Sequence, residues 1–258
     1  MGVPVIGFPA IPIIRLMGVA IAALVLTWCV HYRGGLALVS DDKALIFNVP
    51  SFLSLLIELA IIVNSGDKLV HPVLMVIGLI LLNGEAMLAY KRSTGTKSLR
   101  KLIHLSLQFA AFCVSIIGVW AALKFHNEKG VDNFYSLHSW LGIACLLLFG
   151  IQWAVGFTTF WYPGGSRNGR ASLLPWHVFL GIYIYALSVA TATTGFLEKA
   201  TFLQASHIIS HYSSEALLIN SLGILVAVLG GLVILTVVSP PAAAKGDYSE
   251  LPLSTHNL

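Results

Sequence analysis

Long hydrophobic runs alternate with shorter polar segments along the chain. Six of these runs hold about 20 residues or more, enough for a helix to cross the roughly 30 Å of hydrocarbon in a bilayer. They occupy residues 13–32, 71–90, 102–125, 137–161, 175–197 and 216–239. The pattern predicts an all-α polytopic membrane protein with six transmembrane helices.

A seventh apolar run, residues 51–63, differs from the others in length and polarity. It has thirteen residues and contains Glu58. Such a run is short for a span and is more typical of a re-entrant or interfacial segment. After the last span, the tail 240–258 is polar and rich in proline at its start, so we expect it to be disordered.

The composition supports a membrane protein. Hydrophobic residues make up 57% of the chain and charged residues only 10%, against about 25% charged residues in soluble domains. So few charges cannot cover a surface that faces water. The composition therefore excludes a soluble enzyme and a nucleic-acid-binding protein, and it makes membrane lipid a partner of the chain.

The charges differ between the two sides of the predicted spans. The two loops of one side carry basic residues and no acid: Lys91, Arg92, Lys97, Arg100, Lys101, Arg167 and Arg170. Arg15 and Lys245 fall on that same side. The loops of the other side mix both signs, as in Glu128, Lys129 and Asp132. By the positive-inside rule, both termini and the basic loops are expected in the cytosol.

Four of the nine histidines open four consecutive spans: His71, His104, His138 and His177. Because consecutive spans alternate in direction, His71 and His138 share one depth, and His104 and His177 share the other. Ionisable side chains in a bilayer are costly and mark functional sites. Two imidazoles at one depth suit a haem iron with both axial positions filled, whose natural task is electron transfer. The spacing predicts two b-type haems, one for each pair, and the absence of a CxxCH motif in the sequence excludes covalent attachment.

Small residues recur on the faces of these histidines. Gly156 follows His138, and Gly195 follows His177, by eighteen residues. Eighteen residues make five helical turns, so each glycine returns to its histidine's face about 27 Å further along. This spacing predicts room for the other haem, although close helix packing in membranes also favours small residues.

Two other classes of protein fit parts of the pattern. A haem-free transporter would use the histidines for metal or proton passage, but such proteins usually carry acids in their spans. Glu85 is the only acid well inside one of the six spans. A haem-bearing membrane anchor of another oxidoreductase would need a partner subunit, since this chain has no flavin or nicotinamide fingerprint.

Several longer segments resemble motifs of the cytochrome b561 family, the ascorbate-dependent transmembrane electron carriers. They are HPVLMVIGLILLNGEAMLAYK (71–91), KSLRKLIH (97–104), SLHSW (136–140) after Asn133-Phe134-Tyr135, WYPGGSR (161–167) and PWHVFLG (175–181). The resemblance covers the chain from span one to span six and is closest to plant members of the vacuolar membrane. It implies a homodimeric oxidoreductase in which spans two to five form a four-helix haem-binding core.

The resemblance also implies a direction of electron flow and two substrate sites. Cytosolic ascorbate would be the donor, and monodehydroascorbate or a ferric chelate on the other side would be the acceptor. The positions that match the family's cytosolic ascorbate site are Lys97, Lys101 and Arg170, and those that match its non-cytosolic site are Phe125, His126 and Tyr135. Ascorbate is an anion at neutral pH, so a basic site would attract it.

One segment departs from the family pattern. Residues 50–70 stand between IFNV (46–49) and the HPV motif that directly follows it in the family. We interpret this segment as an insert, either a retained intron or gene-model artefact or a membrane-dipping loop. The predicted organisation is a single cytochrome b561-type transmembrane domain over residues 1–239, with this insert, followed by the tail.

Overall fold

The structure is a computed structural model that describes residues 10–33, 70–92 and 95–240. Within these ranges the chain forms helices, numbered here α1 to α6. Helix α1 is Ala10–Thr27 and continues as a π-helical turn, Trp28–Tyr32; α2 consists of His71–Met75, the π-helical stretch Val76–Leu82 and Asn83–Arg92; α3 is Lys97–Lys129, α4 is Leu137–Phe160, α5 is Arg167–Ala205 and α6 is Ser214–Val238. All six are long and apolar enough to cross a membrane, so the predicted all-α fold with six spans is confirmed.

Four of the helices begin at a hydroxyl side chain. The Oγ atoms of Thr96, Ser136, Ser166 and Ser213 each accept a hydrogen bond from the backbone N–H three residues later. Each bond satisfies one of the N–H groups that the start of a helix leaves without an intrahelical partner. Helix α3 ends at Gly130, whose φ of 66° lies in the left-handed region that glycine adopts without strain. Short polar segments between the hydrophobic runs therefore contain the signals that start and stop the helices.

Helices α3 and α5 extend well beyond the hydrophobic runs that predicted them. They have 33 and 39 residues, more than the about 20 residues that a span requires. As a result Lys97 and Lys101 lie in the first turns of α3, and Arg170 lies in the first turn of α5. The expectation that these basic residues lie in loops was wrong. Hydropathy identifies only the apolar part of a helix, and the hydrogen-bonded helix extends further at its polar end.

The helices pack as a four-helix bundle with two helices outside it. Helix α2 packs against α3 and α5, α3 against α4, and α4 against α5, so these four helices close a ring. Helix α6 packs against α5 and α2, and α1 packs against α6. This is the core of spans two to five that the resemblance implied.

Among the described residues, buried apolar side chains form a large cluster outside the ring, one within it, and a small one of Val70, Leu74 and Ala121. The outer cluster joins α1, α2, α5 and α6 and contains Trp28 and Tyr185. The inner cluster contains Leu79, Ala111, Cys145, Phe149 and Ile184. Four of these inner residues stand seven or eight positions after the histidine of their own helix, about two turns of helix. The inner cluster therefore occupies the interior between the two ends of the bundle.

Two calls fall on parts of the chain that the structure does not describe. Of the insert 50–70, only Val70 is described, directly before α2. Of the tail 240–258, only Pro240 is described. The interpretation of the insert, the disorder of the tail and the division into a domain and a tail stay predictions.

Candidate cofactor and substrate sites

The first histidine pair lies where α2 and α4 begin. The ring centres of His71 and His138 are 6.0 Å apart, and the planes of the rings meet at 84°. Nδ1 of His71 lies 2.8 Å from the carbonyl oxygen of Gly118 on α3. Nδ1 of His138 lies 2.8 Å from the carbonyl oxygen of Thr191 on α5. All four helices of the bundle thus contribute to this pair.

The second pair lies on α3 and α5. The ring centres of His104 and His177 are 6.3 Å apart, with an interplanar angle of 75°. Nδ1 of His104 lies 3.0 Å from the carbonyl oxygen of Ala86 on α2. On α4, the amide of Gln152 donates a hydrogen bond of 2.6 Å to the backbone carbonyl of His177. The pairs that the topology predicted are therefore neighbours in space.

These distances and hydrogen bonds fit an iron between the two rings of each pair. Two metal–nitrogen bonds of about 2 Å account for about 4 Å of a separation between ring centres, and the distance of each ring nitrogen from its own ring centre supplies the rest. A carbonyl acceptor at Nδ1 requires the proton on that nitrogen, which leaves Nε2 with a lone pair for a metal. Three of the four rings have such an acceptor. Nδ1 of His177 is buried, and it has no partner among the residues that the structure describes.

Glycines make room for the imidazoles. A Cβ atom on Gly195 would lie 2.6 Å from Cε1 of His138, and one on Gly156 would lie 2.8 Å from Cε1 of His177. Gly195 of α5 therefore lies against the first pair, and Gly156 of α4 lies against the second pair. The spacing of eighteen residues predicted both positions. Any larger residue at either position would displace the ring.

A cavity of about 240 Å³ opens beside the first pair. His71 and His138 line it, together with all three residues that the resemblance assigned to the non-cytosolic site: Phe125, His126 and Tyr135. Glu198 and Lys199 of α5 line the same cavity. Sequence reasoning assigned no site role to these two residues, because the fifth hydrophobic run ends at residue 197. The only sign of them in the sequence was an acid followed directly by a base.

Tyr135 and Glu198 interact at the rim of this cavity. Tyr135 is 59% exposed. Partial burial raises the pKa of its hydroxyl above the usual value of 10, and a hydrogen bond to Glu198 and the charge of that carboxylate raise the pKa further. Ser136, which caps α4, donates a hydrogen bond of 2.8 Å to Glu198. Glu198 thus connects α5 to the start of the helix that carries His138.

The basic residues lie at the other end of the bundle. The ammonium group of Lys101 donates a hydrogen bond of 3.3 Å to the carbonyl of Phe160, whose ring centre lies 5.2 Å from that of His177. Arg170 donates a hydrogen bond of 2.9 Å to the carbonyl of Gly165, and Lys97 is exposed. A single residue, Phe160, therefore connects Lys101 to the second histidine pair.

Metal ligation by larger groups of side chains has no candidate in the described part of the chain. Residues 10–33, 70–92 and 95–240 contain no group of three or more histidine, cysteine, aspartate or glutamate side chains that could hold a metal ion. The two histidine pairs remain the candidate ligands.

Comparison with known proteins gives one family. Residues 70–203 match the family model described as eukaryotic cytochrome b561. The chain is 63% identical over 241 residues to transmembrane ascorbate ferrireductase 2 of Arabidopsis thaliana, covering 93% of this chain and 96% of that protein. It is 42% identical over 256 residues to the probable ascorbate-specific transmembrane electron transporter 1 of Oryza sativa subsp. japonica, covering 98% of this chain and 100% of the relative. It is 37% identical over 221 residues to the transmembrane ascorbate-dependent reductase CYB561 of Sus scrofa, covering 85% of this chain and 78% of the relative.

Proposed function

The chain belongs to the eukaryotic cytochrome b561 family, and on that premise we propose how it moves electrons. It is an oxidoreductase that transfers electrons from ascorbate across a membrane. Family membership implies b-type haem, and we propose two haems per chain, one at each histidine pair. Their chemistry is reversible one-electron exchange at iron. The observation that carries the proposal is the pair of facing imidazoles at each end of one bundle, with ring centres 6.0 Å and 6.3 Å apart.

The protein's contribution to this chemistry is to hold and insulate the cofactors. In the proposal, His71 and His138 hold one iron, and His104 and His177 hold the other. Carbonyl acceptors at Nδ1 keep three of these rings in the tautomer that binds metal through Nε2. The apolar cluster between the pairs excludes water from the middle of the bundle, which lowers the local dielectric and so affects the potentials.

Lys97, Lys101 and Arg170 are proposed to bind cytosolic ascorbate. All three are basic and lie in the first turns of α3 and α5. An anion beside Lys101 would lie close to the ring of Phe160, which packs on His177. Charge attraction would raise the local concentration of the donor and orient it towards the second pair.

Phe125, His126 and Tyr135 are proposed to bind the acceptor, monodehydroascorbate or a ferric chelate, on the non-cytosolic side. The support is their shared cavity with His71 and His138. Reduction of monodehydroascorbate consumes one electron and one proton. The imidazole of His126 lines this cavity and would hold that proton.

A spectrum tests the function directly. We expect the purified protein, reduced by ascorbate, to show low-spin b-type bands from two haems per chain. His104→Ala and His177→Ala should each lower the content to one haem and abolish rapid reduction by ascorbate. A colourless protein, or a single haem that no histidine variant removes, would contradict the proposal.

A matched pair of variants tests the donor site. Lys97→Ala combined with Lys101→Ala should slow reduction by ascorbate about tenfold or more, since a basic cleft raises association rates by that order. Lys124→Ala, which removes an ammonium from the opposite end of α3, should leave this rate unchanged. Fast reduction in the double variant would assign the ascorbate site elsewhere.

Sidedness, membrane and assembly are part of the proposal. We place both termini in the cytosol, the protein in the vacuolar membrane and the chain in a homodimer. The segments 91–101 and 161–170, around the connections from α2 to α3 and from α4 to α5, contain basic residues and no acid, which supports this orientation. A C-terminal tag should be cleaved by protease added to intact vacuoles, and a tag cleaved only after the membrane is lysed would contradict the orientation.

A further inference from the structure

Among the residues that the structure describes, the close neighbours of the Lys199 ammonium group are aromatic rings and include no carboxylate. Its Nζ lies 5.4 Å from the ring centre of Phe202 and 5.9 Å from that of Phe125. Among the described residues, no carboxylate oxygen lies within 4.0 Å of this atom. Aromatic faces attract a cation only weakly compared with a carboxylate. Lys199 therefore retains most of its capacity to bind an anion.

The nearest acid on a neighbouring helix is already neutralised. Glu215 of α6 is buried and accepts hydrogen bonds of 2.6 Å from Nε of Arg33 and 2.8 Å from the indole of Trp28. A second guanidinium nitrogen of Arg33 pairs with its other oxygen. Lys199 lies within electrostatic range of this ion pair. Because the pair has no net charge, it leaves the charge of Lys199 uncompensated.

The acid next to Lys199 in the sequence is also engaged. Oε2 of Glu198 accepts the hydrogen bond from Ser136, and Glu198 also holds the hydroxyl of Tyr135. These contacts direct the carboxylate to the start of α4. Glu198 therefore stabilises the cavity wall and does not form an ion pair with Lys199.

The cation faces the place where an acceptor would dock. Lys199 and Phe202 line the same cavity as His71, His138 and Phe125. Both candidate acceptors, the monodehydroascorbate radical and a ferric carboxylate chelate, carry negative charge at neutral pH. A fixed cation in a cavity with apolar walls acts more strongly on such an anion than a cation in water does.

We propose that Lys199 is the residue that selects anionic electron acceptors in this cavity. The two phenylalanine rings hold the ammonium group in position, and the Arg33–Glu215 pair prevents Glu215 from neutralising it. The inference rests on the proposed function, because it presumes that the cavity beside His71 and His138 is the exit for electrons.

The test compares oxidants of opposite charge. Wild-type protein and variants are placed in liposomes that contain ascorbate, and ferricyanide or hexaammineruthenium(III) is added outside. Lys199→Met keeps the length of the side chain without its charge. We expect this variant to lose about tenfold or more of the rate with the ferricyanide anion, with no loss for the ruthenium cation and a weaker dependence on salt. Lys199→Arg should retain the preference for ferricyanide.

Lys124→Met is the matched control, since it removes another ammonium that also lies near an aromatic ring on α3. Equal losses for both oxidants in Lys199→Met, no loss for either, or the same loss in Lys124→Met would overturn the proposal. Haem content and midpoint potentials are measured in parallel. Lys199→Met could instead have a lower haem content or a shifted potential while the oxidant preference stays intact. Lys199 would then act on the haem and not on the choice of oxidant, which would also overturn the proposal.

Failure of the proposed function gives a different result. Wild-type haem would then stay oxidised with ascorbate inside the liposomes. Dithionite can replace ascorbate as reductant, and the preference between the two oxidants still decides the role of Lys199.

Discussion

At the scale of single residues, the backbone does as much as the side chains to define the candidate haem sites. Histidine side chains recur in the sequence, but their Nδ1 acceptors are carbonyl oxygens of Gly118, Ala86 and Thr191. Any residue type offers a carbonyl, so a sequence contains no sign of these acceptors. The positions of the four histidines were predictable, and the groups that orient them were not.

Gly195 is a position where one methyl group should matter. A Cβ atom there would lie 2.6 Å from Cε1 and 2.8 Å from Nδ1 of His138, so Gly195→Ala should displace the ring and weaken the hydrogen bond to Thr191. We expect haem content to fall towards one haem per chain. On α6, a Cβ atom at Gly223 would meet nothing within 4 Å, and Gly223→Ala should keep full haem content. Full content in both variants would show that His138 does not hold a haem.

The pKa of Tyr135 leads to a dependence on alkaline pH. Burial and Glu198 raise this pKa above 10, so the folded protein holds the phenolic proton more tightly than the unfolded chain does. Tyr135 therefore contributes its stability in full below about pH 10 and loses that contribution as pH rises through the raised pKa. Glu198→Gln should bring the pKa down towards 10.

The measurement is an ultraviolet titration of tyrosinate, in which Tyr135→Phe identifies the contribution of this residue. Glu128→Gln serves as the control, because that acid lies near the end of α3 and pairs with Lys124. A pKa of Tyr135 that is the same in Glu198→Gln and in the wild type would remove Glu198 as a cause of the shift.

At the scale of helices, α2 and α3 pack closely at Gly78. The π-helical stretch Val76–Leu82 brings Gly78 against α3, where a Cβ atom would lie 2.6 Å from Oγ of Ser115 and 2.9 Å from the carbonyl oxygen of Ala111. The buried hydroxyl of Tyr185 donates a hydrogen bond of 3.3 Å to Ile80 in the same stretch. Small residues allow such contact between membrane helices, and a stretch of π-helix is typical of functional sites.

Gly78→Ala should force α2 and α3 apart. We expect a loss of about 1–3 kcal/mol in the free energy of unfolding, the usual cost of overpacking a well-packed interior. Thermal unfolding in detergent measures the loss. Gly223→Ala should not be destabilising, because alanine is the better helix former where space is open. Equal stability of the two variants would mean that the α2–α3 contact is easily relaxed.

Helix ends illustrate the limit of hydropathy. The six spans were predicted from apolar runs, yet α3 begins five residues before its run and α5 begins eight residues before its own. The extra turns are polar and are stabilised by their caps at Thr96 and Ser166. Hydropathy measures how well a residue suits hydrocarbon, so it gives no information about polar turns at the ends of a helix. The basic residues were therefore expected in loops.

At the scale of the whole molecule, ion pairs hold the outer helices in place. Arg15 of α1 donates two hydrogen bonds to Glu85 of α2, at 3.2 Å and 2.5 Å. Arg33, directly after α1, pairs with the buried carboxylate of Glu215 on α6. The partners in these pairs are 70 and 182 residues apart in the sequence. The only acid well inside a predicted span thus has a structural partner.

Glu215→Ala should destabilise the whole assembly of helices. It leaves the guanidinium group of Arg33, whose side chain is 16% exposed, without its counter-charge, and breaking a buried pair in this way costs about 3 kcal/mol or more. Glu128→Ala breaks an exposed pair with Lys124 and should cost about 0.5 kcal/mol or less. Thermal unfolding of both variants gives the comparison, and similar losses would show that Glu215 is not the main tie of α1 to α6.

The sequence by itself determined the number of spans, the alternation of their direction and the pairing of the histidines by depth. These follow from apolar transfer free energy and from the period of the helix, and both are local properties that add up along a chain. Tertiary structure alone decided which carbonyls orient three of the four imidazoles, how Glu215 is neutralised and why Lys199 has no carboxylate oxygen within 4.0 Å among the described residues. Those features depend on contacts between residues on different helices, and helix packing, unlike hydropathy, is settled only when all six helices are assembled.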